Sequence, residues 1–74
     1  MKTDLRRAVA LTVRSELVSA GRTVPWLAEQ TGIALHVLQK QLAMQLDFTV
    51  TDLAEIAGAL SIDVARLVPR LSGR

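Results

Sequence analysis

Little in this chain of 74 residues suits covalent chemistry. It has one histidine, His36, and no cysteine. A metal centre needs several imidazole, thiolate or carboxylate ligands close together, and covalent catalysis needs a nucleophile beside a base. Glu16, Glu29 and Glu55 stand on separate stretches and read as surface charges. No glycine-rich loop is present to cradle a phosphate. The chain is therefore expected not to be an enzyme and to take no cofactor, no metal and no small-molecule ligand. One stretch does suit anions. Between Gln30 and Leu46 there is no carboxylate, and His36 and Lys40 fall inside that window. A surface that meets phosphate must lack carboxylates, and this one does. The duller alternative is chance in a short window.

The overall charge is a mild +2, so its distribution says more than its sum. Residues 1–24 carry Lys2, Arg6, Arg7, Arg14 and Arg22 against Asp4 and Glu16. Residues 25–48 hold Lys40 against Glu29 and Asp47, and residues 49–74 are balanced. Arg6, Arg7 and Arg14 read as a solvated face, as do Arg66, Arg70 and Arg74, because charged side chains are exposed by default. Gln41 also reads as solvated.

The elements that must position these groups centre on Leu27-Ala28-Glu29-Gln30-Thr31-Gly32-Ile33. This run reads as the end of one short helix, a glycine turn and the start of another. Ala28, four positions before the glycine, is small enough to let two helices approach closely. Gly32 takes a positive φ without strain, and such a bend presents the second helix as a probe for the DNA major groove.

Five helices are expected. The first, over 4–20, carries Leu5, Val9, Val13 and Leu17 at i, i+4 spacing, with Thr3 or Asp4 as cap and Gly21 as stop. A second apolar line, Leu11 and Val18, lies beside the first. The second helix, 24–31, is capped by Thr23, with Pro25 in its first turn. The third runs over 34–44. The fourth, 50–60, opens on Thr49-Val50-Thr51-Asp52, which resembles a capping box. It carries Leu53, Ile56, Ala57 and Leu60 on one face. The fifth, 63–68, has Asp63 as cap, Ile62, Leu67 and Val64 turned inward, and Pro69 as stop. A frayed tail, 69–74, follows. Strand-like alternation is rare, so the fold class is all-α in a single domain over 1–74. No internal repeat or second-domain signal occurs.

Residues 23–68 resemble the phage repressor and Cro-like (lambda-repressor-like, XRE-type) helix-turn-helix family of five-helix DNA-binding domains. The matching runs are Leu27 to Ile33, then Leu38, then Thr49-Val50-Thr51-Asp52-Leu53-Ala54-Glu55-Ile56-Ala57-Gly58-Ala59-Leu60-Ser61-Ile62. They stand at the family's usual interval, and the first helix fits in place and length. The chain departs from the family at three places. Val24 stands where a glutamine often reaches a phosphate. Gln41 stands where an apolar residue is usual, with Leu42 next to it. The third helix opens on the apolar run Ala34-Leu35-His36-Val37.

The resemblance implies a transcriptional regulator that binds double-stranded DNA and reads bases with Leu35, His36, Gln39 and Lys40. Gln39 can pair bidentately with adenine, Lys40 can donate to guanine or phosphate, and Leu35 can pack on a thymine methyl. His36 is either a base or phosphate contact or a solvated helix residue. Arg22, Thr23, Trp26 and Thr49 are the expected phosphate contacts, the helix amino ends at Thr23 and Thr49 supplying N–H groups. Trp26 reads first as core or rim packing; its indole N–H is the phosphate alternative. Half of the residues are hydrophobic, more than a domain of this size hides, so an exposed apolar patch is expected. The second line on the first helix, or Val64, Val68 and Leu71, would form a homodimer interface. The rival reading is an adaptor or anti-repressor that binds a protein through Leu35, Val37 and Leu42. The start lacks the apolar core of a signal peptide, and no apolar run approaches the ~18 residues of a membrane span. The expected location is the cytoplasm of a prokaryote or phage-infected host, with no membrane partner.

Overall fold

A hydrophobic stripe fixes the first helix, and turn chemistry fixes the ends of the rest. The computed structural model describes residues 3–68. It has four α-helices: α1 (Thr3–Ala20), α2 (Val24–Thr31), α3 (Leu35–Leu42) and α4 (Val50–Leu60). A single 3-10 turn, Val64–Arg66, follows. The described residues contain no strand, so the fold is all-α. The side chains of Thr3 and Asp4, and everything from Pro69 onward, lie outside the described residues. The expected amino-terminal cap, the Pro69 stop, the frayed tail and Leu71 fall there.

On α1 the stripe of Val9, Val13 and Leu17 is buried, and the small Ala10 beside it is buried too. Gly21, at φ 68, ends the helix. The Arg22 N–H donates to the Leu17 carbonyl at 2.9 Å and the Gly21 N–H to that of Val18 at 3.0 Å. These are the two bonds of a Schellman motif. For α2, Thr23 Oγ1 accepts from the Trp26 N–H at 3.2 Å, and Pro25 sits in the first turn. At its far end Gly32 takes φ 77 and its N–H donates to the Ala28 carbonyl at 3.0 Å. The Thr31 hydroxyl donates to the Leu27 carbonyl at 2.8 Å and accepts from the Ile33 N–H at 3.2 Å. The turn between α2 and α3 is thus closed by one left-handed glycine and one threonine hydroxyl.

Two expected elements are shorter than the sequence indicates. The third helix stops at Leu42 because Met44 adopts φ 65. Its N–H donates to the Gln41 carbonyl at 3.1 Å, and the Gln45 N–H to that of Lys40 at 2.8 Å. The same Schellman closure that glycine makes after α1 is made here by methionine, whose side chain packs against the core. The fifth helix is only a 3-10 turn. The Asp63 carboxylate accepts from the Ala65 N–H at 3.0 Å, as a cap should. The Arg66 and Leu67 amides then bond three residues back, to Asp63 and Val64. A proline at 69 disfavours helical backbone at Val68 and so limits propagation. Leu67 turns fully inward, whereas Val64 is exposed, as the patch reading and not the inward one has it.

Each element delivers side chains to one core: Val13 and Leu17, Leu27, Leu38 and Leu42, Leu53 and Ile56, and Leu67. Phe48 anchors the connection between α3 and α4 by burying its ring. Helices α1 and α2 each pack on both α3 and α4.

Candidate nucleic-acid interface

Burial of Leu38 and Leu42 decides which way α3 faces. At about 100° per residue, His36, Gln39, Lys40 and Ala43 fall within an arc of about 100° on the opposite side. All four are exposed. Leu35, 38% exposed, flanks this arc, and Val37 is half-buried. Among the described residues nothing is hydrogen-bonded to or ion-paired with the side chains of His36, Gln39 and Lys40. The first turn of α3 carries no acid, and Lys40 lies in its last turn. The outer face of α3 therefore presents an imidazole, a carboxamide and an ammonium to solvent, with no internal partner to displace.

The amino end of α2 carries the second group. The Arg22 guanidinium lies over the Trp26 ring, 4.7 Å from its centroid. This contact restricts an otherwise flexible cation and costs it little, because the ring face is electron-rich. The first turn of α2 has no acid, so nothing there opposes an incoming anion. Trp26 is half-buried against the core, which bears out the packing reading of its ring. Thr23 is exposed, its hydroxyl oxygen engaged as the cap of α2.

Thr49 stands at the amino end of α4 in a complete capping box. Its Oγ1 accepts from the Asp52 N–H at 2.9 Å, and its own N–H donates to Asp52 Oδ2 at 3.0 Å. The backbone N–H groups left for a ligand at this end are those of Val50 and Thr51.

Several residues read as solvated are structural. Gln41 is 2% exposed, not solvated. Its position on α3 lies on the inner side, next to Leu38 and Leu42, so the amide is carried into the core. Nε2 donates to the Asp47 carbonyl at 3.2 Å and to Asp52 Oδ2 at 2.7 Å. Both amide protons are thereby used, while Oε1 is buried without a partner. Such an unmatched acceptor costs about 1–3 kcal/mol.

Arg6 is likewise not part of a solvated face. Its Nε donates to Asp47 Oδ1 at 2.7 Å and its Nη1 to the Met44 carbonyl at 3.1 Å. The Arg6 guanidinium holds the Asp47 carboxyl below its ordinary value of 3.8. Arg14, exposed, reaches the Leu42 carbonyl at 3.4 Å. Two arginines of α1 thus donate to carbonyls at and just beyond the end of α3, where positive charge suits the helix dipole. Arg66 pairs with Glu16 at 2.8 Å, and the Glu16 side chain is only 15% exposed. Glu16 is therefore not a simple surface charge, whereas Arg66, 61% exposed, stays on the solvated face as expected. Arg7 and Arg14, both exposed, keep the solvated reading, and Arg6 does not.

The structure therefore gathers His36, Gln39 and Lys40 on one face and stacks Arg22 on Trp26. It joins Thr49 to α3 through Asp52 and Gln41. The residue missed in the sequence is Gln41, and one signal was present: a polar residue beside Leu42 on an otherwise apolar stripe. No family model, curated protein or solved structure matches the chain.

Proposed function

We propose that this chain is a sequence-specific regulator of transcription that binds double-stranded DNA. In this reading it is a phage repressor or Cro-like helix-turn-helix domain whose α3 enters the major groove. The outer face of α3 carries the reading: three exposed hydrogen-bonding groups with no internal partner, on a helix without a carboxylate. The left-handed turn at Gly32 supports it by setting α3 at a bend from α2. Gln39 pairs with an adenine edge, Lys40 donates to guanine or to phosphate, and His36 donates beside them. Leu35 packs on a thymine methyl. Arg22, preset by Trp26, and the amino ends of α2 and α4 at Thr23 and Thr49 hold the phosphate backbone on either side.

A single domain with about 5 phosphate contacts binds weakly and loses affinity steeply with salt. We therefore place the working form as a homodimer, with two α3 helices about 34 Å apart, one turn of DNA. No described helix is long and apolar enough to cross a membrane. The proposed location is the cytoplasm of a prokaryote or an infected host, at the nucleoid.

The rival reading, an adaptor or anti-repressor, needs a greasy face of Leu35, Val37 and Leu42. Leu42 belongs to the core and Val37 is half-buried, which leaves Leu35 as the exposed member. The test is binding to random duplex DNA at low and moderate salt. The proposal expects salt-sensitive binding that falls sharply in a Lys40→Ala, Arg22→Ala double variant. Binding that is absent, or is indifferent to both salt and the two substitutions, rejects it.

A further inference from the structure

Gln41 sits on the inner side of the helix whose outer side carries His36, Gln39 and Lys40. Its Nε2 and the Thr49 N–H converge on one atom, Asp52 Oδ2, at 2.7 and 3.0 Å. The same Nε2 holds the Asp47 carbonyl in the α3–α4 connection, and the Asp47 carboxylate is held by Arg6 of α1. One continuous chain of bonds therefore runs from α1, through the buried face of α3, to Asp52 in the first turn of α4 and its cap Thr49. Its centre is expensive. Gln41 Oε1 is buried without a partner, a cost that an apolar residue of similar volume at this position would not carry. What the amide supplies in return is geometry: it fixes the distance and angle between α3 and the amino end of α4.

We propose that Gln41 is a positioning residue for DNA recognition, setting the reading face of α3 against the phosphate-facing end of α4. This rests on the DNA reading above. Gln41 touches neither base nor phosphate. It acts through Asp52 and Thr49, so that when α4 seats on its phosphate, Gln39 and Lys40 arrive in register with the base edges. Without the amide the two elements still pack through Leu38, Leu42, Phe48 and Leu53, but the register between them loosens. Base pairing tolerates an error of only about 0.5 Å, whereas attraction to phosphate tolerates far more. The signature is therefore a loss of discrimination, separate from any loss of stability.

The experiment uses the full chain and a duplex selected by the wild type from random DNA. Affinity for that duplex and for an unselected duplex, together with the melting temperature, is measured for the wild type and for Gln41→Met, Asp52→Asn and Asp52→Ala. Gln41→Met is expected to melt within about 5 °C of the wild type. It should bind unselected DNA within about twofold of wild type and lose about tenfold in the selected-to-unselected ratio. Asp52→Asn keeps one oxygen able to accept both donors, so its ratio should stay near that of the wild type. Asp52→Ala removes the same charge and the shared acceptor, so its ratio should fall with that of Gln41→Met. If Gln41→Met does not fold, the two Asp52 variants decide the matter alone. The positioning role is overturned if Asp52→Ala keeps the wild-type ratio, or if Asn and Ala fall together. It is also overturned if affinity for both duplexes drops in parallel with the melting temperature. A wild type that selects no sequence rejects the DNA reading itself and this role with it.

Discussion

Gln39 and Arg22 have different work in the proposed DNA complex, and single substitutions separate them. Gln39→Ala should relax the preferred sequence at one position while leaving binding to unselected DNA nearly unchanged. Arg22→Ala should weaken binding to all sequences alike and lower the salt slope by about 1. Both outcomes are read from affinities measured across sequences and salt. A second residue-scale consequence concerns Asp47. Its pairing with Arg6 lowers its carboxyl below 3.8 in the folded chain. The stabilisation is thus fully present above that value and is lost as pH falls through the lowered one. Acid titration of stability should therefore be shallower for Asp47→Asn than for the wild type. His36, Gln39 and Lys40 were legible in the sequence as an outward set because Leu38 fixes the inward side of the same helix. Gln41 was not legible as structural. Its partners come from Asp47 and Asp52, brought close only by the turn that follows α3. The partner of Arg6 lies 41 positions away, and nothing local announces it.

At the scale of elements, three helices close on left-handed residues with Schellman bonds, and two of these residues are not glycine. Met44 has φ 65 and Ser61 has φ 59. The exposed Ser61 follows α4, where the Ile62 N–H donates to the Ala57 carbonyl at 3.0 Å. Ser61→Gly should stabilise the chain by about 0.5–1 kcal/mol, because glycine has no Cβ to strain in this conformation. Gly32→Ala should destabilise by about 1–2 kcal/mol. A Cβ at Gly32 meets nothing within 4 Å, so the cost would come from the backbone alone. Chemical denaturation of both variants checks the pair. The caps at Thr23, Thr49 and Asp63 were readable because each is a short polar side chain at the start of an apolar period. The ends of α3 and of the last turn were not. Methionine gives no signal for positive φ, and an isolated i+3 turn has the same residues as a short helix.

At the scale of the molecule, burial explains most of the hydrophobic content but not all of it. Leu11 and Val18 stand 54% and 80% exposed on the outer line of α1, and Val64 and Val68 are exposed at the other end of the chain. Val50, at 84%, is exposed at the start of α4, beside the proposed phosphate contact. If the outer line of α1 forms the dimer, Val18→Glu should shift the chain toward monomer in sedimentation and reduce DNA affinity without changing the preferred sequence. Selection from a random duplex library bears directly on whether α3 reads DNA sequence. The wild type should enrich a defined sequence, Gln39→Ala should broaden it at one position, and joint loss of Arg22 and Lys40 should abolish enrichment. Enrichment of nothing by the wild type, or an unchanged motif from Gln39→Ala, would contradict the assignment of α3 as the reading helix.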